Sequence, residues 1–236
     1  TGSNRDEAGM GYAMAAPRMA ADGIATLRID FMGNGDSTAS YTDYNYTSAI
    51  IDAKAAADYL AGLEAVDADN LGVMGWSQGG TDALLAAEAH PDTFKAVVTW
   101  AGALDLTSVA GDFEAAQAEA EADGSYTMTF DWREPLDLGA RWFQEVADTD
   151  MLEIVANIEA PILAINGATD TTVTPDNAEK IVEAAANDAS ELLLVENCDH
   201  TFNVFSGDFT ALYETVDATT AFFQAQLIPA AAEAAA

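Results

Sequence analysis

Basic residues are scarce in this 236-residue chain: eight Lys and Arg stand against forty Asp and Glu, a formal charge of −32. Such a field repels phosphate backbones and anionic lipid, which argues against nucleic-acid and membrane-surface roles. Cysteine is nearly missing. One residue, Cys198, excludes an internal disulfide framework and a four-Cys zinc site. No apolar run approaches the roughly 18 residues of a membrane span. The stretch Ala96 to Leu104 is about the longest, and it is strand-like. Histidine occurs only twice, at His90 and His200, so any histidine chemistry has two candidates.

What is present is apolar. Half of the residues are hydrophobic, ample for a core in a domain of this size. The acids are spread along the chain rather than gathered in a tail. Unscreened, they repel one another across a Debye length of about 8 Å at physiological ionic strength, which shrinks to about 3 Å at 1 M salt. The composition suits a protein that works in concentrated salt, and the cytoplasm of a salt-accumulating organism is the expected location. A moderately acidic mesophilic protein is the alternative reading of the charge, and secretion the alternative location.

Strand-like and helix-like segments alternate. Strands are expected at Gly23 to Phe31, Asn70 to Trp76, Phe94 to Ala101, Ile162 to Asn166 and Glu191 to Glu196. Helices are expected at Thr47 to Leu63, Gln78 to Ala89, Pro175 to Ala186 and Asp208 to Leu227, the first with Ile50, Ile51, Ala55, Ala57, Tyr59 and Leu60 on its apolar side. The alternation predicts an α/β fold with a mostly parallel sheet covered by helices on both faces. Residues 104–160 break the rhythm with helix-like pieces and a possible hairpin, Tyr126 to Leu138, around Glu134-Pro135. They read as a small cap inserted into one domain spanning residues 1–228. Residues 229–236 form a low-complexity tail. Asn45-Tyr46-Thr47 is a glycosylation sequon by pattern only, and Gly33-Asn34-Gly35 reads as a turn.

Gly75-Trp76-Ser77-Gln78-Gly79-Gly80 is the sharpest feature. Gly-x-Ser-x-Gly is a weak pattern alone. Here it lies between an apolar strand and a helix, the context of a nucleophile elbow, with glycines at 75 and 79 to relieve crowding. The competing reading is an ordinary loop with a serine helix cap. A serine hydroxyl needs a base. His90 sits at the far end of the helix that Ser77 opens, about 18 Å away at 1.5 Å per residue. His200 follows the last strand, at the same sheet edge as Ser77, so elimination favours it. Asp170, in the loop after the Ile162 to Asn166 strand, is placed to orient the imidazole. Asp199 is a rival acid, too near His200 in sequence to face its ring easily. The order Ser77, Asp170, His200 matches the α/β-hydrolase chain order.

With these residues in place, the chain resembles an α/β-hydrolase, and within that superfamily the bacterial cinnamoyl/feruloyl esterases. Ile29-Asp30-Phe31-Met32-Gly33-Asn34-Gly35-Asp36-Ser37 is similar to that family's Asp-Phe-Arg-Gly-x-Gly-x-Ser stretch, with Met32 and Asn34 where Arg and His are common. The resemblance implies a serine esterase acting through an acyl-enzyme on a small ester, best a hydroxycinnamoyl ester; no cofactor or metal is expected, since the sequence carries no His-Glu-x-x-His, EF-hand or P-loop motif. The resemblance also implies an oxyanion hole formed by the Gln78 N–H and a second donor upstream of Thr1, the family's preceding strands being absent from this sequence. A serine peptidase of the prolyl-oligopeptidase type and a non-catalytic binding protein on the same fold are the alternatives. Trp76, Tyr126, Trp132, Trp142 and Phe143 are candidate acyl-pocket residues, or else packing of the inserted region.

Overall fold

A computed structural model describes residues 3–131 and 133–228. Trp132 and the 229–236 tail therefore lie outside the described residues. Four parallel strands form the central sheet: β1 (Leu71–Trp76), β2 (Phe94–Trp100), β5 (Ile162–Gly167) and β6 (Glu191–Val195), in the order β1-β2-β5-β6. Registers are plain: Val97 pairs with both Val73 and Ile162, and Ile165 with Leu193. Every residue of β5 is buried, as is every residue of β2 except Lys95. A strand covered on both faces needs such a nearly unbroken apolar run.

Helices supply the covers. On one face lie α2 (Tyr46–Ala61), α3 (Gln78–Ala89), α6 (Met151–Asn157) and α7 (Asp176–Ala184); on the other, α1 (Gly11–Ala21) packs on α8 (Thr210–Leu227). Helix α2 starts where the Asn45 side chain accepts from the Ser48 N–H and Ser48 Oγ accepts from the Asn45 N–H. This reciprocal cap satisfies two otherwise orphaned donors. Asn45 is buried in that cap, which removes the sequon as a surface acceptor. The apolar side of α2 also needs correction. Tyr46, Ala49 and Ala57 face inward, whereas Ile51 and Tyr59 are 60% and 63% exposed. A run this rich in alanine gives a weak periodic signal, so the face could not be read from spacing alone.

Residues 104–160 fold between β2 and β5 as α4 (Phe113–Asp123), a hairpin of β3 (Ser125–Met128) and β4 (Leu136–Gly139), α5 (Ala140–Asp148) and α6. In the hairpin Tyr126 pairs with Leu138.

One expected strand is not formed. Gly23 to Phe31 has no regular secondary structure and joins no ladder among the described residues. It lines a cleft of about 320 Å3 with Leu71 to Gly75 of β1. Strand propensity alone does not make a strand, which also needs a neighbour within hydrogen-bonding distance. Gly33-Asn34-Gly35 is a turn with positive φ at both glycines. No helix among the described residues is long and apolar enough to cross a membrane.

Candidate active site

The site is built at the carboxyl edge of the sheet. Chain leaving β1 turns at Ser77, with φ 57° and ψ −120°, a strained backbone for a residue with a side chain. Its N–H donates to the Trp100 carbonyl at 2.8 Å, and its own carbonyl accepts from Gly80 N–H at 2.9 Å. Helix α3 begins at the next residue. A Cβ on Gly75 would stand 1.7 Å from the Gly79 carbonyl oxygen, and one on Gly80 2.6 Å from Gly102 Cα. A Cβ on Gly79 would meet nothing within 4 Å. The glycines that permit the elbow are therefore Gly75 and the Gly80–Gly102 pair, not Gly79.

His200 enters on the loop after β6. Its Nε2 lies 3.1 Å from Ser77 Oγ and its Nδ1 2.8 Å from Asp170 Oδ2. The Asp170 side chain is fully buried. Its other oxygen accepts the N–H groups of Thr172 at 2.7 Å and Val173 at 3.0 Å. The structure thus brings Ser77, His200 and Asp170 into one hydrogen-bonded line. His90 instead caps the far end of α3.

The two loops are stitched together. Thr169 donates through N–H and hydroxyl to the Cys198 carbonyl, at 3.0 and 2.9 Å. Gly167 allows this approach, since a Cβ there would fall 2.3 Å from that carbonyl oxygen. The position is visible in sequence only as a glycine closing a strand. Asp199 turns back into its own loop, accepting from Thr201 and Asn203. Burial pushes its carboxyl up, but those hydrogen bonds prevail and hold it below the usual carboxylate range. It caps the His200 turn and does not face the ring. Cys198 is buried, and burial beside the Asp199 and Asp170 carboxylates pushes its thiol up to about 12. It stays a thiol, packed as a small apolar residue.

The aromatic candidates do not share one place. Trp76 is 3% exposed and sits edge-on to Tyr12, Trp100 and Phe202. Its indole N–H donates to the His200 carbonyl at 3.1 Å. Trp76 thus supports the histidine loop from within the core and does not line a pocket. Trp142 and Phe143 are buried against Phe113, with the half-buried Tyr126 edge-on to Phe143. These rings are the packing of the region between β2 and β5. Large aromatics serve cores and pockets equally well, and only burial separates the two uses.

Gln78, the first residue of α3, has a backbone N–H that helix geometry leaves without an intrahelical acceptor. Its side chain is buried, and Nε2 donates to the Tyr44 hydroxyl at 2.9 Å. That hydroxyl donates to Asp82 Oδ2 at 2.6 Å. Neither Tyr44 nor Asp82 stood out in the sequence.

Residues 12–228 match the prolyl oligopeptidase family. The chain belongs to that family. It is a hydrolase of the α/β-hydrolase fold. Among solved structures, Est1E from Butyrivibrio proteoclasticus with bound ferulic acid is similar at TM-score 0.72 and 19% identity, over 94% of this chain and 84% of that one. A monoacylglycerol lipase from Paleococcus ferrophilus gives 0.74 and 15%, over 91% and 89%. The esterase domain of a Rhodothermus marinus protein gives 0.68 and 19%, over 95% and 85%. At these identities the likeness carries the fold. No curated protein matches the sequence.

Proposed function

We propose that the protein hydrolyses carboxylic esters of small molecules through a covalent acyl-serine intermediate. The observation that carries this reading is the continuous Ser77–His200–Asp170 hydrogen-bonded line. Ser77 Oγ attacks the ester carbonyl as neutral His200 Nε2 takes its proton. Asp170, held by two backbone N–H groups, fixes the tautomer through Nδ1 and steadies the imidazolium. His200 then gives the proton to the leaving alcohol. A water molecule repeats the sequence on the acyl-enzyme and frees the acid. In this reading the Gln78 N–H supplies one oxyanion donor, and a single donor is worth about 3–4 kcal/mol. A hydroxycinnamoyl ester is the substrate we favour, from the resemblance to feruloyl esterases and from the ferulic acid held by Est1E. Within residues 104–160 we assign α4, the hairpin and α5 as a cap near this edge of the sheet, with the Phe113, Trp142 and Phe143 cluster as its core, while α6 packs against α3 and α7.

The family match favours a second reading, a serine peptidase. An alkoxide leaves more readily than an amine, so the two separate on paired substrates. Methyl and aryl hydroxycinnamates should be cleaved while matched peptide amides remain intact. Efficient amide cleavage without ester cleavage would reverse the ranking.

The charge leads to a further expectation. Folding brings forty acids closer together than the unfolded chain does, and only some of them meet a base. Arg5 pairs with Asp30 and Asp36, and Lys180 with Asp176. Raising NaCl from about 0.1 to 2 M should therefore raise the melting temperature, by about 2–4 °C for each kcal/mol of repulsion relieved at this chain length. KCl should act alike. A flat or falling melting temperature in chloride would make the acidity a matter of solubility alone.

A further inference from the structure

Beneath the elbow lies a buried polar clamp that the proposed reaction does not itself use. Gln78 and Asp82 are four residues apart on α3, so their side chains share a face one turn apart. The Tyr44 hydroxyl bridges them, accepting from Gln78 Nε2 at 2.9 Å and donating to Asp82 Oδ2 at 2.6 Å. All three residues are at most 3% exposed. Tyr44 is itself held fast. Its ring stacks on Tyr41 at 5.3 Å and stands edge-on to Phe31, and it immediately precedes the Asn45 cap of α2.

The arrangement is costly as a stabilising device. Burial pushes the Asp82 carboxyl up to about 7, against the opposing pull of the Tyr44 hydrogen bond, with the Glu7 carboxylate pushing it further up. Its Oδ1 has no hydrogen-bond partner, and neither has Gln78 Oε1. An unpartnered buried polar atom costs about 1–3 kcal/mol. Apolar residues of similar volume in place of buried charged groups are often neutral or stabilising. Stability alone therefore gives no reason for an acid here.

We propose that Asp82 is a positioning residue, which through Tyr44 anchors the first turn of α3 and so fixes the Gln78 N–H where the oxyanion develops. The inference rests on the ester-hydrolase reading above. The clamp ties the helix start to the Tyr41–Asn45 segment rather than to the sheet. The turn following Ser77 is then held from two sides: by the Ser77 N–H on Trp100 and by Tyr44 on the helix. An oxyanion donor must sit within a few tenths of an ångström of its place, and a displacement of about 1 Å can cost 100-fold.

The test compares Asp82→Leu, Tyr44→Phe and Asp82→Asn with the wild type, using methyl ferulate turnover, melting temperature and fluorophosphonate labelling of Ser77. Asp82→Leu and Tyr44→Phe should lower kcat by about 10–100-fold with KM within about twofold, because a transition-state interaction is loosened. The melting temperature of Asp82→Leu should be no lower than that of the wild type. Asp82→Asn, which keeps an acceptor for the Tyr44 hydroxyl, should restore kcat to within about threefold. Should Asp82→Leu fail to fold, Tyr44→Phe, which keeps the ring, against Asp82→Asn gives the same comparison. Unchanged kcat in Tyr44→Phe and in folded Asp82→Leu overturns the clamp. So does a loss equal in the Leu and Asn variants that follows a lowered melting temperature, the mark of a structural role. A wild type that takes no label and cleaves no ester overturns the hydrolase reading and the clamp with it. A labelled, active wild type with indifferent variants overturns the clamp alone.

Discussion

Ser77→Ala and His200→Ala should each lower turnover by about 10⁴–10⁶-fold, and the double variant should be scarcely slower than either. The reason is geometric. His200 Nε2 is 3.1 Å from Ser77 Oγ, and each proton it moves in the proposed reaction depends on the acyl group that Ser77 carries. Without the hydroxyl there is no nucleophile for the base to serve. Without the imidazole the hydroxyl keeps its proton and attacks poorly. Two groups that act only together lose the same activity once. Asp170→Asn should fall less far on removal of charge alone, but by about 10⁴-fold where the amide presents the wrong hydrogen-bonding pattern to Nδ1. That outcome is expected here, since Asp170 Oδ1 is committed to the Thr172 and Val173 N–H groups. The carboxamide oxygen belongs there, which turns its NH₂ group toward the ring. A fluorophosphonate should add once to the wild type and not to Ser77→Ala. Labelling that persists in Ser77→Ala would remove the serine from the mechanism, and additive losses in the double variant would separate the two residues.

Gly75→Ala should destabilise the protein by about 4 kcal/mol or more, the range reached only by severe steric or burial errors. A methyl 1.7 Å from the Gly79 carbonyl oxygen cannot be accommodated without moving β1 away from α3. Because total stability is only about 5–15 kcal/mol, little folded protein should accumulate. Gly80→Ala should also be harmful, against Gly102 Cα at 2.6 Å. Gly79→Ala should be neutral or stabilising by up to about 1 kcal/mol, since alanine is the better helix former and its methyl meets nothing. Urea midpoints of the three variants decide the matter. Gly79→Ala as damaging as Gly75→Ala would contradict the described elbow.

Much of this was legible without coordinates. The apolar runs of β1, β2 and β5 are unbroken because parallel strands are covered on both faces, and such runs show in any linear reading. The helix that follows Ser77, the hairpin expected within Tyr126 to Leu138 and the strand character of β6 are local or nearly local in pattern. With two histidines in the chain, the choice of His200 needed only the side of the sheet on which each loop emerges. Apart from the face of the alanine-rich α2, the departures concern neighbours distant in sequence. Gly23 to Phe31 has the residues of a strand but no ladder partner in the fold. Trp76, Trp142 and Phe143 have the residues of a pocket but lie within the core.

The sequence by itself determined the class of fold, the serine at the strand–helix turn, and the chain order of the three side chains, Ser77, Asp170 and His200, that the structure hydrogen-bonds together. These depend on hydrophobic period and on which residues adjoin a strand end, and both are properties of short segments. Tertiary structure alone decided that Gly80 and Gly102, rather than Gly79, make room for the elbow. It alone decided that Gly167 lets the Asp170 and His200 loops touch, and that Tyr44 reaches Gln78 and Asp82 across 34 and 38 residues. Steric clearance and buried hydrogen bonds act within about 4 Å in space whatever the separation along the chain, and no periodicity in one strand or helix records which distant atom arrives there.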